Sequence, residues 1–283
     1  MALIHNWLPP SPENYEALLF IWKLFPVFAS LQWAVSWYGM GKTSTPSRLN
    51  LPGRIAWLTM ESPGFLTLLY HMRTLAPASL PWQNKVLAAL FVIHYSYRAV
   101  AFPFLQPSMA PIHLLVWISA LAFQLMNGTL LGAWLARYGP TTEAEWAGRV
   151  STLQFVVGLG LFYVGLMGNY YHDEELREIR RREGRRQEAV ARRAGKETAD
   201  VGKHYAVPEK GLFKKVLYPH YLLEWVEWTG FCMATGWAMP AALFVVNEVV
   251  SMLPRAVKGK RWYKEKFGEE KIRGRWAVLP GIV

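Results

Sequence analysis

Long apolar segments constrain this chain more than any other feature of its sequence. Seven mostly apolar runs are separated by polar or proline-containing stretches, at about residues 17–38, 55–72, 84–103, 111–136, 151–171, 216–234 and 236–253. A helix of about 20 apolar residues matches the hydrocarbon thickness of a bilayer, and a helix satisfies its own backbone hydrogen bonds in lipid. The pattern therefore predicts an all-α, polytopic membrane protein built as a bundle of seven transmembrane helices.

The basic residues are unevenly distributed along the chain. Of 31 Lys and Arg residues, 13 lie in residues 173–215 and 9 in residues 255–283. Seven spans place both segments on one side of the membrane, and the positive-inside rule predicts a cytoplasmic C-terminus and an N-terminus outside. The net charge of +11 then reflects topology, and we expect no nucleic-acid partner. An endoplasmic-reticulum membrane and a bacterial inner membrane both fit this expectation.

Ionisable residues inside the predicted spans are candidate site residues, because a charge at membrane depth is costly unless it faces a bundle interior or a wet cavity. His220, Glu224 and Glu227 are spaced i, i+4 and i+7, so they share one face of an otherwise apolar and aromatic helix. This polar stripe predicts a functional wall inside the bundle.

Glu61 and Tyr95 are candidates for proton chemistry. A phenol held near a carboxylate is a suitable general acid for a substrate oxygen, and Pro63 suggests a local helix break near Glu61 that could line a cavity. The alternatives are a helix-end carboxylate paired with Arg54 and, for Tyr95 and Arg98, ordinary interfacial anchors.

A third polar face leaves the fifth predicted span. Asn169, Asp173, Arg177 and Arg180 are spaced i, i+4, i+8 and i+11 on one helix face. Guanidinium groups beside amide and carboxylate groups suit a phosphorylated ligand, although i, i+4 ion pairing on a cytoplasmic helix also accounts for the pattern. The basic and aromatic run from Arg255 to Phe267 is typical of an anchor against anionic lipid, and phosphate binding by Arg255 is the alternative.

Metal and disulfide chemistry are not predicted. Cys232 is the only cysteine, which excludes an intramolecular disulfide framework, and the seven histidines form no H-E-x-x-H pair.

The motifs together resemble one known family. They include Ala56-Trp57-Leu58-Thr59-Met60-Glu61-Ser62-Pro63, His94-Tyr95 with Arg98, Asn127-Gly128, Asn169 with Asp173, Leu176-Arg177, Tyr205-Ala206-Val207-Pro208, Gly211-Leu212-Phe213, Glu224 with Glu227-Trp228, Arg255-Ala256, Trp262-Tyr263, Phe267 and Leu279-Pro280. In order and spacing this set, over most of residues 30–283, resembles the steroid 5α-reductase family (3-oxo-5-alpha-steroid 4-dehydrogenases).

The resemblance implies a seven-helix bundle whose cytoplasmic loops cap an NADPH cavity, and a lipid-soluble 3-oxo-Δ4-steroid that enters from the membrane. Glu61 and Tyr95 would hold and protonate the C3 carbonyl oxygen, with Trp57 and Met60 beside the substrate. The residues implied around NADPH are Asn169, Asp173, Arg177, Arg180, Tyr205, His220, Glu224, Arg255 and Tyr263. Glu227 and Trp228 would belong to the same wall.

The same resemblance implies one integral-membrane reductase domain over residues 1–283. Its substrate half would cover about 1–140 and its cofactor half about 150–283. Residues 181–203 are highly charged with almost no large apolar residue, and this composition predicts a solvated cytoplasmic insert that is helical or partly disordered. We expect a monomer that contacts a steroid and membrane lipid.

Three positions depart from the family pattern. Met60 stands where the animal enzymes have Gln, although the plant reductases are similar here; His220 replaces an Asn, and Gly259 falls where a His often stands. The stretch between Arg180 and Tyr205 is also longer than usual.

Other functions remain open from the sequence. A related enoyl-thioester or polyprenol reductase would keep the cofactor half, an isoprenylcysteine-type methyltransferase would use S-adenosylmethionine, and a membrane scaffold would need neither. The natural substrate is not predicted.

Overall fold

The computed structural model describes residues 2–35, 38–41, 44–194 and 205–283, most of which are helical. The helices are α1 (Pro12–Ser30), α2 (Gly53–Thr74), α3 (Trp82–Tyr95), α4 (Phe102–Leu105), α5 (Leu114–Ala133), α6 (Glu143–Arg149), α7 (Thr152–Arg193), α8 (Pro219–Ala234), α9 (Met239–Phe267) and α10 (Glu269–Ile272). Two-residue strands, β1 (Asn50–Leu51) and β2 (Ile112–His113), pair antiparallel.

Within the described part of the chain, four helical stretches are long and apolar enough to cross a bilayer. They are Trp82–Leu105, Leu114–Tyr138, Thr152–Arg193 and Met239–Phe267. The expectation of a mostly helical membrane protein is therefore confirmed. Helices α1, α2 and α8 occupy the other three predicted segments, with their own boundaries.

The helix α7 is much longer than its predicted span. It has 42 residues and continues past residue 171 into the charged segment as far as Arg193. Ion pairs one turn apart support this extension: Arg182 Nε lies 3.1 Å from Glu178 Oε1, and Arg186 Nη2 lies 2.8 Å from Glu183 Oε1. The first part of the predicted insert is thus a continuation of α7, whereas 195–203 lies outside the described residues.

The helix α2 is not interrupted at its proline. It runs without a break from Gly53 to Thr74 with Pro63 inside it. A proline removes one backbone donor, but neighbouring helices in a membrane bundle can compensate for this loss. The predicted local break near Glu61 was therefore wrong.

Glycines allow the closest helix contacts. A Cβ on Gly158 of α7 would lie 2.7 Å from the backbone oxygen of Gly230 in α8, and a Cβ on Gly230 would lie 2.6 Å from the oxygen of Gly158. Gly128 of α5 likewise meets the backbone of Gly64 in α2. Small residues let membrane helices approach until their backbones touch, which provides van der Waals packing where lipid supplies no hydrophobic driving force.

An aromatic core lies between these helix pairs. Trp22 of α1 and Phe123 of α5 have ring centroids 4.8 Å apart, and Trp228 of α8 lies 4.6 Å from Phe244 of α9. All four side chains belong to one apolar cluster. This cluster holds α1, α5, α8 and α9 around the polar residues described below.

The glycine contacts generate a stability prediction. We expect Gly158→Ala to lower the free energy of unfolding by about 1–3 kcal/mol, because the added methyl group meets backbone atoms that cannot rotate away. Thermal unfolding of the detergent-solubilised protein measures this effect. Gly160→Ala is the matched control, since Gly160 is on the same helix and a Cβ there meets no atom within 4 Å. Equal melting temperatures for the two variants would contradict the role given to Gly158.

Candidate active site

The helix that carries His94 and Tyr95 changes its winding immediately after them. The helix α3 ends at Tyr95 and continues as a π-helical stretch, Ser96–Ala101. A π-helical turn contains an extra residue, so it rotates the side chains that follow, and such turns are frequent at functional sites. Tyr97 and Arg98 are half-buried, and they reach the same interior as the buried His94 and Tyr95.

Glu61 lies in α2 and is held by an amide from α5. Gln124 Nε2 donates a hydrogen bond to Glu61 Oε2 at 2.6 Å. Tyr95 of α3 is buried, and Glu61 and Glu248 of α9 both lie close enough to interact with it electrostatically. The structure therefore brings the predicted pair Glu61 and Tyr95 into one cluster, in which Gln124 is the hydrogen-bond partner of Glu61.

The polar face of α8 meets His94. His94 Nδ1 lies 2.7 Å from Glu227 Oε1, and His94 Nε2 lies 3.9 Å from Glu224 Oε1. Asn169 Nδ2 of α7 donates to Glu224 Oε2 at 3.2 Å. Glu224 and Glu227 thus face the bundle interior, and an imidazole lies between their carboxylates.

Arg98 connects this cluster to α7. Its Nη1 lies 3.5 Å from Asp173 Oδ2, and Tyr97 donates its hydroxyl to the same carboxylate oxygen at 3.3 Å. Arg177 Nη1 donates to the Tyr97 hydroxyl at 3.0 Å, and Arg177 Nε lies 2.8 Å from Glu174 Oε2. The predicted face of Asn169, Asp173 and Arg177 therefore belongs to one buried polar network.

A cavity of about 460 Å³ lies next to this network. Trp57, Arg180, Tyr205 and Arg255, all predicted site residues, line it. Its remaining lining residues are Phe28, Leu31, Gln32, Val35, Tyr38, Gly39, Met40, Gly41, Phe102, Gln106, Ser108, Met109, Ala110, Ile112, Val116, Tyr218, Tyr221, Pro254, Lys258, Gly259 and Trp262. The cavity thus draws on both the predicted substrate half and the predicted cofactor half of the chain.

A smaller cavity of about 120 Å³ shares Arg180, Tyr205 and Tyr218 with the large one and adds His220 and Tyr263. Five predicted cofactor residues therefore line one or both cavities. The predicted residues that line neither of the two cavities are Met60, Glu61, Tyr95, Asn169, Asp173, Arg177 and Glu224. The predicted site is consequently divided into a packed polar cluster and an adjoining open space.

The large cavity has cationic but no carboxylate side chains among its described lining residues. Its cations are Arg180, Arg255 and Lys258. The guanidinium carbon of Arg255 lies 4.4 Å from the ring centroid of Tyr38 and 5.8 Å from that of Tyr221. Concentrated positive charge without an internal counter-ion suits a ligand with several negative charges, so these residues fit the phosphates of a nucleotide cofactor.

Tyr205 remains a hydrogen-bond donor at this site. Burial raises the pKa of its phenol, and the nearby Arg180 guanidinium acts in the opposite direction. Because the net pKa shift is upward, the hydroxyl keeps its proton at neutral pH and can donate to a bound ligand.

The positions that depart from the family pattern differ in their surroundings. Met60 is buried in an apolar cluster with Trp57 and Ile112. At Gly259, a Cβ would collide with the hydroxyl of Tyr218. A larger residue at position 259 is therefore incompatible with the present position of Tyr218, which explains why a histidine does not fit here.

Sequence reasoning missed Gln124, Glu248 and Lys258. Gln124 and Glu248 are polar residues within apolar helices, and the argument that identified Glu61 applies to both. Lys258 gave no comparable signal, because the surrounding basic run is typical of a lipid-facing anchor. Among the described residues, no group of three His, Cys, Asp or Glu side chains could hold a metal ion.

Comparison with known proteins agrees with the sequence resemblance. The family model described as 3-oxo-5-alpha-steroid 4-dehydrogenase matches residues 110–283. The 3-oxo-5-alpha-steroid 4-dehydrogenase 1 of Homo sapiens is 30% identical over 242 residues, which cover 85% of this chain and 84% of that protein. Steroid 5-alpha-reductase DET2 of Solanum lycopersicum is 28% identical over 94% of this chain and 95% of its own length.

An uncharacterised protein of Schizosaccharomyces pombe is 32% identical over 267 residues, covering 86% of this chain and 90% of that protein. The three matches each cover at least 84% of the relative and 85% of this chain. The chain therefore belongs to the 3-oxo-5-alpha-steroid 4-dehydrogenase family, whose members are oxidoreductases acting on CH–CH bonds.

Proposed function

We propose that this chain is an NADPH-dependent steroid 5α-reductase that reduces the Δ4 double bond of 3-oxo-Δ4-steroids. Family membership supports the reaction class, and the names of the relatives support the steroid substrate. The observation that carries the proposal is a buried polar cluster with Glu61, Gln124 and Tyr95 in it, whose Arg98 packs over Trp57, a lining residue of a cavity that has three cations and no described carboxylate.

The chemistry requires a hydrogen-bond donor at the substrate carbonyl. When bound, NADPH supplies a hydride to C5, and negative charge then develops on the C3 oxygen of the conjugated ketone. Tyr95 is the group that can donate a proton or hydrogen bond to that oxygen. Glu61 orients and polarises the phenol, while its own position is fixed by the amide of Gln124.

The rest of the polar cluster keeps the acidic groups in place. His94 separates Glu224 from Glu227, and Asn169 donates to Glu224, so these carboxylates have fixed orientations toward the site. A fixed set of dipoles and charges stabilises a developing oxyanion without reorganising during the reaction. Because these side chains are buried, the lower local dielectric strengthens each of these interactions.

In this proposal the large cavity binds NADPH. Arg255 and Arg180 present guanidinium groups to it, and these groups suit phosphate oxygens. Tyr205 and Tyr263 border the adjoining small cavity and offer aromatic surface and hydroxyl groups to the nucleoside. In this arrangement Asp173 acts through Arg98 and Tyr97, which it holds by the contacts described above.

The proposal includes a multi-pass arrangement in the membrane. The helices α1, α2, α5, α7, α8 and α9 and the α3–α4 stretch would each cross the bilayer, with the C-terminus in the cytoplasm. The concentration of Lys and Arg in residues 173–215 and 255–283 supports this orientation. The large cavity, which contacts both segments, would then open toward cytoplasmic NADPH, and a steroid would enter from the lipid.

The first functional prediction concerns Glu61 and Tyr95. We expect Tyr95→Phe and Glu61→Gln each to lower kcat by about 10²- to 10⁴-fold, because general-acid assistance to the carbonyl oxygen is removed. NADPH oxidation by the purified protein with progesterone or testosterone measures turnover, and fluorescence titration measures NADPH binding, which should stay near normal.

The matched controls are Tyr163→Phe and Glu16→Gln, at two exposed side chains away from the cluster. Loss of NADPH binding in Tyr95→Phe would contradict the assignment of this residue to the substrate. Stabilisation of the wild-type protein by S-adenosylmethionine but not by NADPH would instead favour methyl transfer.

The second functional prediction concerns Arg255. We expect Arg255→Ala to raise the KM for NADPH and for NADH alike by about tenfold or more, because a charge-assisted contact to the phosphates common to both is lost. The steroid KM should change little. Steady-state kinetics with Arg261→Ala, an exposed position on the same helix, provide the control. A selective rise in the steroid KM would show that Arg255 faces the substrate.

A further inference from the structure

The three cations of the large cavity differ from five other arginines of α7, the helix that also carries Arg180. Along the charged part of α7, Arg177, Arg181, Arg182, Arg185 and Arg186 each contact a glutamate carboxylate. For the cations in the cavity, no described carboxylate lies within the 4 Å that defines those pairs. Those five arginines therefore stabilise the helix, whereas Arg180, Arg255 and Lys258 keep their charge available to an anion.

These cations are ordered along the bundle. Arg255 lies beside Tyr221, which precedes Glu224 by one helical turn on α8, so Arg255 is on the side of the cavity nearest the polar cluster. Lys258 follows Arg255 by three residues on α9, which places it about 4.5 Å farther along the helix axis. Trp262, about one turn beyond Lys258, borders the same cavity.

This order matches the layout of a dinucleotide that reacts at the polar cluster. Its nicotinamide must lie near Tyr95, its diphosphate comes next, and the adenosine ribose is farthest away. Arg255 is therefore placed for the diphosphate. The 2′-phosphate is the one group that distinguishes NADPH from NADH. On the adenosine ribose, beyond the diphosphate, it would lie near Lys258.

The ammonium group of Lys258 is held in position and still has a free donor. Its Nζ donates to the backbone carbonyls of Gln32 and Val35. An ammonium group has three N–H bonds, so one remains for a ligand in the cavity. Backbone carbonyls orient the group without neutralising its charge.

We propose that Lys258 binds the 2′-phosphate of NADPH and sets the preference of this enzyme for NADPH over NADH. This inference rests on the proposed reductase function. Arg180 is the competing residue. Its Nη1 donates to the carbonyl of Ser108 at 3.1 Å, which leaves further N–H donors for a ligand, and it lies at the junction with the small cavity beside Tyr205, so the experiment tests both residues.

The experiment compares Lys258→Gln with wild type in detergent or nanodiscs. Glutamine removes the charge but keeps N–H donors for the carbonyls of Gln32 and Val35. We expect the kcat/KM ratio of NADPH to NADH to fall by about tenfold or more, with the value for NADH nearly unchanged. Lys258→Arg should retain most of the preference. Lys264→Gln is the control, because Lys264 pairs with Glu269 on the surface of the same helix.

A binding measurement distinguishes a loss of selectivity for the 2′-phosphate from a general loss of nucleotide binding. Adenosine 2′,5′-bisphosphate should displace NADPH from the wild-type protein more strongly than adenosine 5′-monophosphate does, and Lys258→Gln should remove most of that difference. Equal losses for both competitors would indicate only a structural role for Lys258 and overturn the proposal. Loss of the preference in Arg180→Gln but not in Lys258→Gln would also overturn it.

The outcome is distinguishable from failure of the proposed function. If the wild-type protein used neither NADPH nor NADH, the reductase assignment itself would be wrong. If it preferred NADPH and Lys258→Gln kept the full preference, only the role of Lys258 would be rejected.

Discussion

Carboxylates buried inside the bundle need hydrogen-bond donors or opposite charges beside them, and the rest of the structure depends on this constraint. A buried carboxylate costs several kcal/mol unless a hydrogen bond or an opposite charge offsets the loss of water. Four acids of the cluster each meet a donor from a different helix. The pairs are Glu61 with Gln124, Glu227 with His94, Glu224 with Asn169, and Asp173 with Arg98. Together they connect α2 to α5, α3 to α7 and α8, and α7 to α8, so the same contacts specify the packing and assemble the site.

Small residues make these polar contacts geometrically attainable. A Cβ on Gly64 would collide with the side-chain amide of Gln124, so glycine at that position leaves room for the amide beside Glu61. On α7, a Cβ on Gly165 would collide with the backbone of Glu227. Backbone contact at this point brings the polar residues one turn away on α7 and α8 within hydrogen-bond distance. The glycines of these helices therefore allow both the close apolar packing and the hydrogen bonds of the polar cluster.

Local periodicity was enough to predict the helices and the residues that face inward. Length and apolar character predicted the seven segments in which α1, α2, α3, α5, α7, α8 and α9 lie, and the 3.6-residue period placed Glu224 and Glu227 on one face. Periodicity does not identify the partner of a buried residue, because partners are distant in sequence: His94 and Glu227 are 133 positions apart. The π-helical turn after Tyr95 was also unpredictable, since the preference for it comes from packing of neighbouring helices. The end of α7 was left open, because composition predicted that residues 181–203 are either helical or partly disordered; the ion pairs one turn apart stabilise the helical form as far as Arg193.

The buried carboxylates and the cations of the large cavity lie in separate regions of the bundle, because in the proposed reaction they have different functions. A carboxylate that orients a proton donor loses its effect if it forms an ion pair with a phosphate-binding arginine. Conversely, a phosphate site binds its ligand more weakly if a carboxylate already pairs with its cationic side chains. Arg98 is at the boundary between the two regions: it contacts Asp173 on one side and packs over Trp57, at 5.0 Å from the ring centroid, on the other. Trp57 also donates its indole N–H to the Arg98 carbonyl at 2.8 Å and lines the cavity. An aromatic ring at this boundary limits direct pairing between the two sets of charges, so the acids keep their orientation and the cavity keeps its positive potential.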